Sequence, residues 1–276
     1  MASQRQRANI DLVKKLKLER QFIIKLRKLF RAMTDEFAAE YANNGNILQA
    51  VEFESEFQAL IVEQYRRAGK AFKRTTRDSI GSKSLEVKAA SDDIDNRLRE
   101  YTKRESNLAA AAISRTNQNK IENAIRKAMA ILMFEETQGD DLGFLITSPT
   151  TEAIAKEARR LLNIETTSRS DVIAVTETQK ITEKAKEIEI DVLKSDQDFI
   201  GATGGAEIIK SWINVGDDKV RETHVQAQFD NIKIPANEAF SVGNYRLMIP
   251  GDASLGAPLE EIINCRCSAI YDVKGL

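Results

Sequence analysis

The stretch Leu16–Tyr41, LKLERQFIIKLRKLFRAMTDEFAAEY, holds neither proline nor glycine. Within it Leu16, Ile23, Leu26, Phe30, Met33, Phe37 and Tyr41 follow a mix of three- and four-residue steps. That spacing lines them up as one apolar stripe of an α-helix. At 1.5 Å per residue these ~26 residues would span about 40 Å. Asn43-Asn44-Gly45-Asn46 follows, residues that accept left-handed and turn geometry, and it ends the helix. So long an apolar face beside a basic one predicts a helix that projects from the main body.

The same logic extends outward. All four prolines (Pro149, Pro235, Pro250, Pro258) lie in the second half, and only five glycines precede residue 150. Proline breaks helix interiors and glycine marks turns, so the first half is predicted to be long helices. A second helix would bury Ile47, Val51, Leu60, Ile61 and Phe72. A third runs from about Ser84 to Arg104. A fourth runs from about Asn119 to Thr137, with Ile121, Ile125, Ala128 and Leu132 at helical spacing. Ser148-Pro149 reads as a cap and first helical turn opening Thr150 to Leu162, and Ser168 or Ser170 as the cap of one more helix reaching about Ile190. Gly201-Ala202-Thr203-Gly204-Gly205 has no bulky side chain and reads as a boundary. Beyond it, Ile208 to Val215 fits a short strand, Asp217 a cap for a turn carrying Val220, Arg221 and His224, and Cys265 to Val273 a closing strand. The expected fold is mainly α with a C-terminal α+β module. Its expected segments are a basic amphipathic helix (1–45), a helical domain (46–200) and a small turn-rich mixed domain (201–276).

Composition narrows the function classes. The 276 residues are 42% hydrophobic, enough for a core, and 41 Lys+Arg nearly cancel 42 Asp+Glu to a net charge of −1. A histone-like or polyanionic chain is excluded, so nucleic-acid contact would need a local patch. Two cysteines make no disulfide framework, apolar runs such as Ala130 to Phe134 are too short for a bilayer, and no secretory signal opens the chain. A soluble, intracellularly made protein is expected.

Such a patch exists. Residues 1–31 carry ten cations against only Asp11 and Glu19, a local balance of +8. Lys14, Lys15, Lys17, Lys25, Arg27, Lys28 and Arg31 are the candidates for phosphate contact, which needs cations but no base-reading geometry. The alternative is a solvated face or one docked on an acidic protein. A second constellation gathers Trp212, Asp217, Asp218, Arg221, the only histidine, His224, and both cysteines, Cys265 and Cys267. His224, Cys265 and Cys267 with Asp217 or Asp218 could make a structural zinc site, because zinc accepts all three ligand types. The alternative is a buried histidine satisfied by a carboxylate beside two buried thiols. On either reading the histidine and thiols should lie close together, with Trp212 as an apolar floor and Arg221 paired with Asp217 or Asp252. No nucleophile elbow, P-loop or dinucleotide-binding glycine loop is present, so no enzyme is expected.

These residues also carry a family likeness. Lys210-Ser211-Trp212, Asp217-Asp218-Lys219-Val220-Arg221-Glu222-Thr223-His224, Phe240-Ser241-Val242-Gly243, Pro250-Gly251-Asp252 and Asn264-Cys265-Arg266-Cys267 resemble, in order and spacing, the phage Mu F-like minor head proteins, also called phage head morphogenesis proteins. Ser168 to Glu177 looks like that family's R-A-x-x-I-A-x-T-E helix. Val175 stands where arginine is usual, and Asp230-Asn231 where a glycine turn is expected. The resemblance covers the second half and hardly touches the first hundred residues. It implies a minor capsid protein of a tailed phage, made in the host cytoplasm and carried in the virion near the portal. Portal protein, capsid proteins and packaged double-stranded DNA would be its partners, with self-association allowed and no membrane during assembly. Nine residues follow Cys267, so no further toxin domain is expected. The rival from another class is a metal-dependent DNA-processing nuclease centred on Asp217, Asp218 and His224.

Overall fold

A computed structural model describes residues 3–47, 50–73, 88–137 and 148–275. The fold is mainly helical with a C-terminal module that contains small sheets. Its elements are α1 (Gln4–Asn44), a 3-10 turn (Ala50–Phe53), α2 (Glu54–Phe72), α3 (Lys88–Thr137), α4 (Thr151–Ser195), α5 (Gln197–Thr203), β1 (Ile208–Ile213), α6 (Glu222–Asp230), β2 (Ile234–Pro235), β3 (Phe240–Val242), β4 (Tyr245–Leu247), α7 (Leu259–Ile262) and β5 (Ser268–Val273). Four expected helices are two. The predicted third and fourth merge into α3, of which the expected start at Ser84 lies outside the described residues. The two predicted around Ser168 merge into α4. Hydroxyls that could cap a helix bond backward instead: Ser170 Oγ donates to Thr166 O at 2.7 Å and Thr116 Oγ1 to Ala112 O at 2.8 Å. Such i−4 bonds satisfy the hydroxyl inside a continuing helix. The cap of α4 is Thr150, whose Oγ1 accepts from Ala153 N, and not Ser148.

The chain packs as two compact units, each assembled from separate stretches: Met1–Phe22, Val62–Arg104 and Val172–Leu276 form unit 1, and Ile23–Ile61 with Glu105–Asp171 form unit 2. The expected boundary at Gly201–Gly205 falls inside unit 1. In unit 2 the expected stripe holds: Leu26, Phe30, Met33, Phe37 and Tyr41 are all buried. Phe30 stacks at a tilt on Phe57, with the Arg169 guanidinium over its ring at 5.0 Å. Gly45, at φ +71, ends α1 as its N–H bonds Tyr41 O. Ile47 is exposed rather than buried.

In unit 1 the stripe does not hold. Leu16 is 38% exposed, and the inward positions of α1 are Ala8, Asp11, Lys15, Glu19 and Phe22. The expectation of a projecting helix fails here. Gln4 Nε2 donates to Ser211 Oγ and Asp272 Oδ2, Arg5 to the carbonyls of Asn214 and Val215, and Arg7 to Tyr271 O. The sheet runs β2-β1-β5, antiparallel throughout, with Trp212 opposite Ala269 and Lys210 opposite Tyr271; β3 and β4 form a separate hairpin. Alternation puts Ile208, Lys210 and Trp212 on one face of β1. The other face carries Ser211, bonded to α1. Coverage on both sides explains why β1 is buried almost end to end.

The outer edge of β5 has no neighbouring strand among the described residues, yet the peptide groups at its start are satisfied. Gln179 Nε2 donates to Cys267 O at 2.7 Å, Ala269 N donates to Glu183 Oε2 at 2.9 Å, and Lys186 Nζ to Ala269 O at 3.0 Å. These side chains sit on successive turns of α4 and stand in for a strand.

Candidate functional site

The C-terminal core gathers Trp212, Phe240, Cys265 and Cys267 with Ile190 and Leu193 of α4. The likeness motif is thus mostly a set of packing and turn positions. Phe240 and His224 both meet Trp212 edge-on, with centroids 5.3 and 5.2 Å away. The tryptophan is the expected apolar floor. Gly251 has φ +86, and a Cβ there would lie 3.1 Å from Gln179 Cγ, so the P-G-D turn requires glycine. Asp252 accepts from the backbone N–H of Met248 and Ser254 and from the Ser254 hydroxyl, closing that turn. Asn231, in place of a glycine turn, bonds Ala227 O, Ser241 O and Ser241 N through its amide. Thr176, in the upstream motif, accepts from Asn264 N at 3.2 Å and so touches the Asn-Cys-Arg-Cys turn directly.

His224 comes from the first turn of α6, while Cys265 and Cys267 lie on the extended segment entering β5. An i, i+2 spacing on an extended backbone turns both thiols to one side. His224 Nδ1 lies 3.7 Å from Cys265 Sγ and 3.4 Å from Cys267 Sγ, and all three residues are buried. The three donor atoms fall within 4.8 Å of one another. His224, Cys265 and Cys267 therefore converge as expected. On the far side of the ring, Nε2 lies 3.0 Å from Glu261 Oε2, at an angle poor for a hydrogen bond. Glu261 is held from Thr223 Oγ1 at 2.9 Å. Sequence alone does not single it out, because a glutamate in a Leu-Glu-Glu-Ile turn looks like a surface residue.

The carboxylates expected to complete the cluster do not do so. Asp217 is exposed, caps its own turn at Lys219 N, and pairs with Arg266 at 2.7 Å. Neither it nor the exposed Asp218 belongs to a metal-capable group among the described residues. Arg221 pairs with neither Asp217 nor Asp252; its guanidinium donates to Ile263 O. The Cys267 thiol donating to Cys265 holds the Cys265 thiol well below its ordinary value; burial opposes this and His224 assists. Cys267 is pushed well above, by the same bond and by burial. Sulfur, imidazole and carboxylate in series also match a nucleophile, base and orienting group. At 1–2% exposure, however, neither sulfur is open to a bulky substrate.

The basic patch is also sorted by the structure. Lys15 cannot touch DNA: it is 1% exposed and bonded to Glu183, Gln179 and Ser268. Arg27 is half-buried and paired with Asp171. Lys14, Lys17 and Arg20 in unit 1, and Lys25, Lys28 and Arg31 in unit 2, are exposed. Both acidic residues of the segment, Asp11 and Glu19, are buried. No helix among the described residues is long and apolar enough to cross a membrane. Comparison of the chain with family models, with curated proteins and with solved structures finds no match.

Proposed function

We propose that this chain is a minor head protein of a tailed phage, associated with portal and capsid proteins in the virion, and that it acts by adhesion and not by chemistry. The observation that carries this reading is the use made of the motif. Five separated pieces, ordered as in the Mu F-like proteins, supply one core and the turns around it: Trp212, His224, Phe240, the Pro250-Gly251-Asp252 turn and the two cysteines. A strip for protein contact is available on α6 and just beyond it, where Val225, Phe229 and Ile232 are 40%, 63% and 59% exposed at four- and three-residue steps.

Contact with packaged DNA would run through phosphates. With Asp11 and Glu19 buried, the outward charge of residues 3–31 is wholly positive, which favours a polyanion without any sequence readout. Replacing Lys17, Lys28 and Arg31 together by alanine should weaken binding to double-stranded DNA and flatten its log–log salt dependence by about 0.9 for each phosphate no longer neutralised. Unchanged affinity and slope would remove DNA from the proposal. Quantitative mass spectrometry of purified particles tests the virion part, since a protein absent from particles is an assembly factor instead. The rival nuclease is supported by no grouping of Asp217, Asp218 and His224. Divalent-metal-dependent DNA cleavage abolished by His224→Ala would nonetheless overturn the adhesive reading.

A further inference from the structure

We infer that His224 Nδ1, Cys265 Sγ and Cys267 Sγ are three ligands of a zinc ion, with Glu261 as the positioning residue behind the histidine. Tetrahedral zinc with bonds of about 2.0–2.3 Å needs its ligand atoms roughly 3.5–3.8 Å apart. The imidazole nitrogen stands 3.7 and 3.4 Å from the two sulfurs, so little movement is needed to admit the ion. Direct contact between thiols and an imidazole is a weak return for burying three polar groups completely, whereas a thiophilic cation bonds all three at once.

The surroundings fit a ligand set. A metal-bound histidine commonly gives its second ring N–H to a carboxylate, which fixes the tautomer and strengthens the ligand. Glu261 stands 3.0 Å from Nε2, fixed by Thr223, and a small turn of the ring onto the ion would let it take that N–H. Trp212 packs edge-on against the ring, and Gln179 anchors Cys267 through its carbonyl, so each of these ligands is held by something other than the ion. No fourth carboxylate, thiol or imidazole joins these three among the described residues. A zinc ion held by these three would keep one coordination position for a non-protein ligand. Zinc would tie the first turn of α6 to the segment entering β5, about forty residues further along the chain. This inference stands on the donor geometry and is independent of the head-protein reading.

The test uses the full-length protein purified without chelator. One zinc per chain is expected, with X-ray absorption giving two sulfur and two nitrogen or oxygen neighbours. Cobalt(II) in place of zinc should show thiolate-to-metal charge transfer, and a strong chelator should lower the melting temperature, restored by zinc. Glu261→Gln, which keeps an oxygen for Thr223, should fold and bind zinc ten- to a hundredfold more weakly. Cys265→Ser should lose one sulfur neighbour or, if it fails to fold, the cobalt spectrum of the unmutated chain decides. A folded chain that takes up no zinc, or holds it without sulfur, would overturn the assignment. Undiminished affinity in Glu261→Gln would overturn the role of Glu261.

Discussion

Replacing Glu183 by glutamine should destabilise unit 1 by about 3–5 kcal/mol, the usual cost of removing one partner from a buried ion pair. Glu183 is fully buried and faces two ammonium groups, Lys15 Nζ at 2.7 Å and Lys186 Nζ at 2.7 Å, while its second oxygen accepts from Ala269 N. Burial alone would raise its pKa, but Lys15 and Lys186 outweigh burial and hold it below the ordinary carboxylate value. With the carboxylate gone, Lys186 keeps Asp11 at 3.2 Å, while Lys15 keeps neutral partners in Gln179 and Ser268 and only the nearby charge of Glu19. Glutamine keeps the shape and one acceptor, so packing loss is small and the electrostatic part is isolated. Because the folded value is depressed, the carboxylate contributes stability above its unfolded pKa and loses that contribution as the pH falls through the folded value. The variant should therefore lack part of the wild-type acid sensitivity. Urea unfolding followed through Trp212, the single tryptophan and a buried residue of unit 1, reads the effect. Breaking the exposed Lys120–Glu165 pair of unit 2, with side chains 36% and 46% exposed, is the control and should cost below about 1 kcal/mol. If Glu183→Gln costs no more than that control, the buried charges are not what joins α1, α4 and β5.

Three further outcomes are expected. Phe229→Asp should abolish association with portal or capsid proteins while changing stability by less than about 0.5 kcal/mol, as pull-down and thermal melting would read. Lys210, lowered to about 8 by burial with partial relief from Glu187, is charged at a cost in the folded state. The unfolded chain holds more protons between pH 8 and 10.5, so this residue should make stability rise by about 3 kcal/mol across that window; Lys210→Met should flatten the rise in a pH series of unfolding midpoints. Gly251→Ala should cost about 1–2 kcal/mol for left-handed backbone, with more from contact with Gln179, and a melting curve no different from wild type would refute the turn assignment.

What could be read from the sequence depended on whether burial followed polarity. From Leu26 to Tyr41 it did, and the stripe held. From Ala8 to Phe22 the inward positions include Asp11, Lys15 and Glu19, and a pattern rule assigns such residues to solvent. The α4 partners of Asp11 and Lys15 lie more than 160 residues away, and no local window can register that compensation. The helix junctions failed for a different reason: serine and threonine are equally able to cap a helix or to bond backward within one, and only the continuing backbone decides. His224, Cys265 and Cys267 were legible because each is scarce. Glu261 was not, since glutamate is common and its meaning comes from the imidazole beside it.

The edge of β5 carries one more consequence. Strand carbonyls on one edge recur about every 6.6 Å, and helix residues four apart advance about 6 Å. Gln179 and Glu183, one turn apart, reach Cys267 O and Ala269 N, and Lys186 on the next turn reaches Ala269 O, so donor, acceptor and donor along α4 meet a carbonyl, an N–H and a carbonyl of the strand in that order. A slide of α4 by one turn that brought Glu183 to Cys267 O would set a carboxylate against a carbonyl. In unit 1, therefore, the order of these three groups fixes the register of α4 on the start of β5.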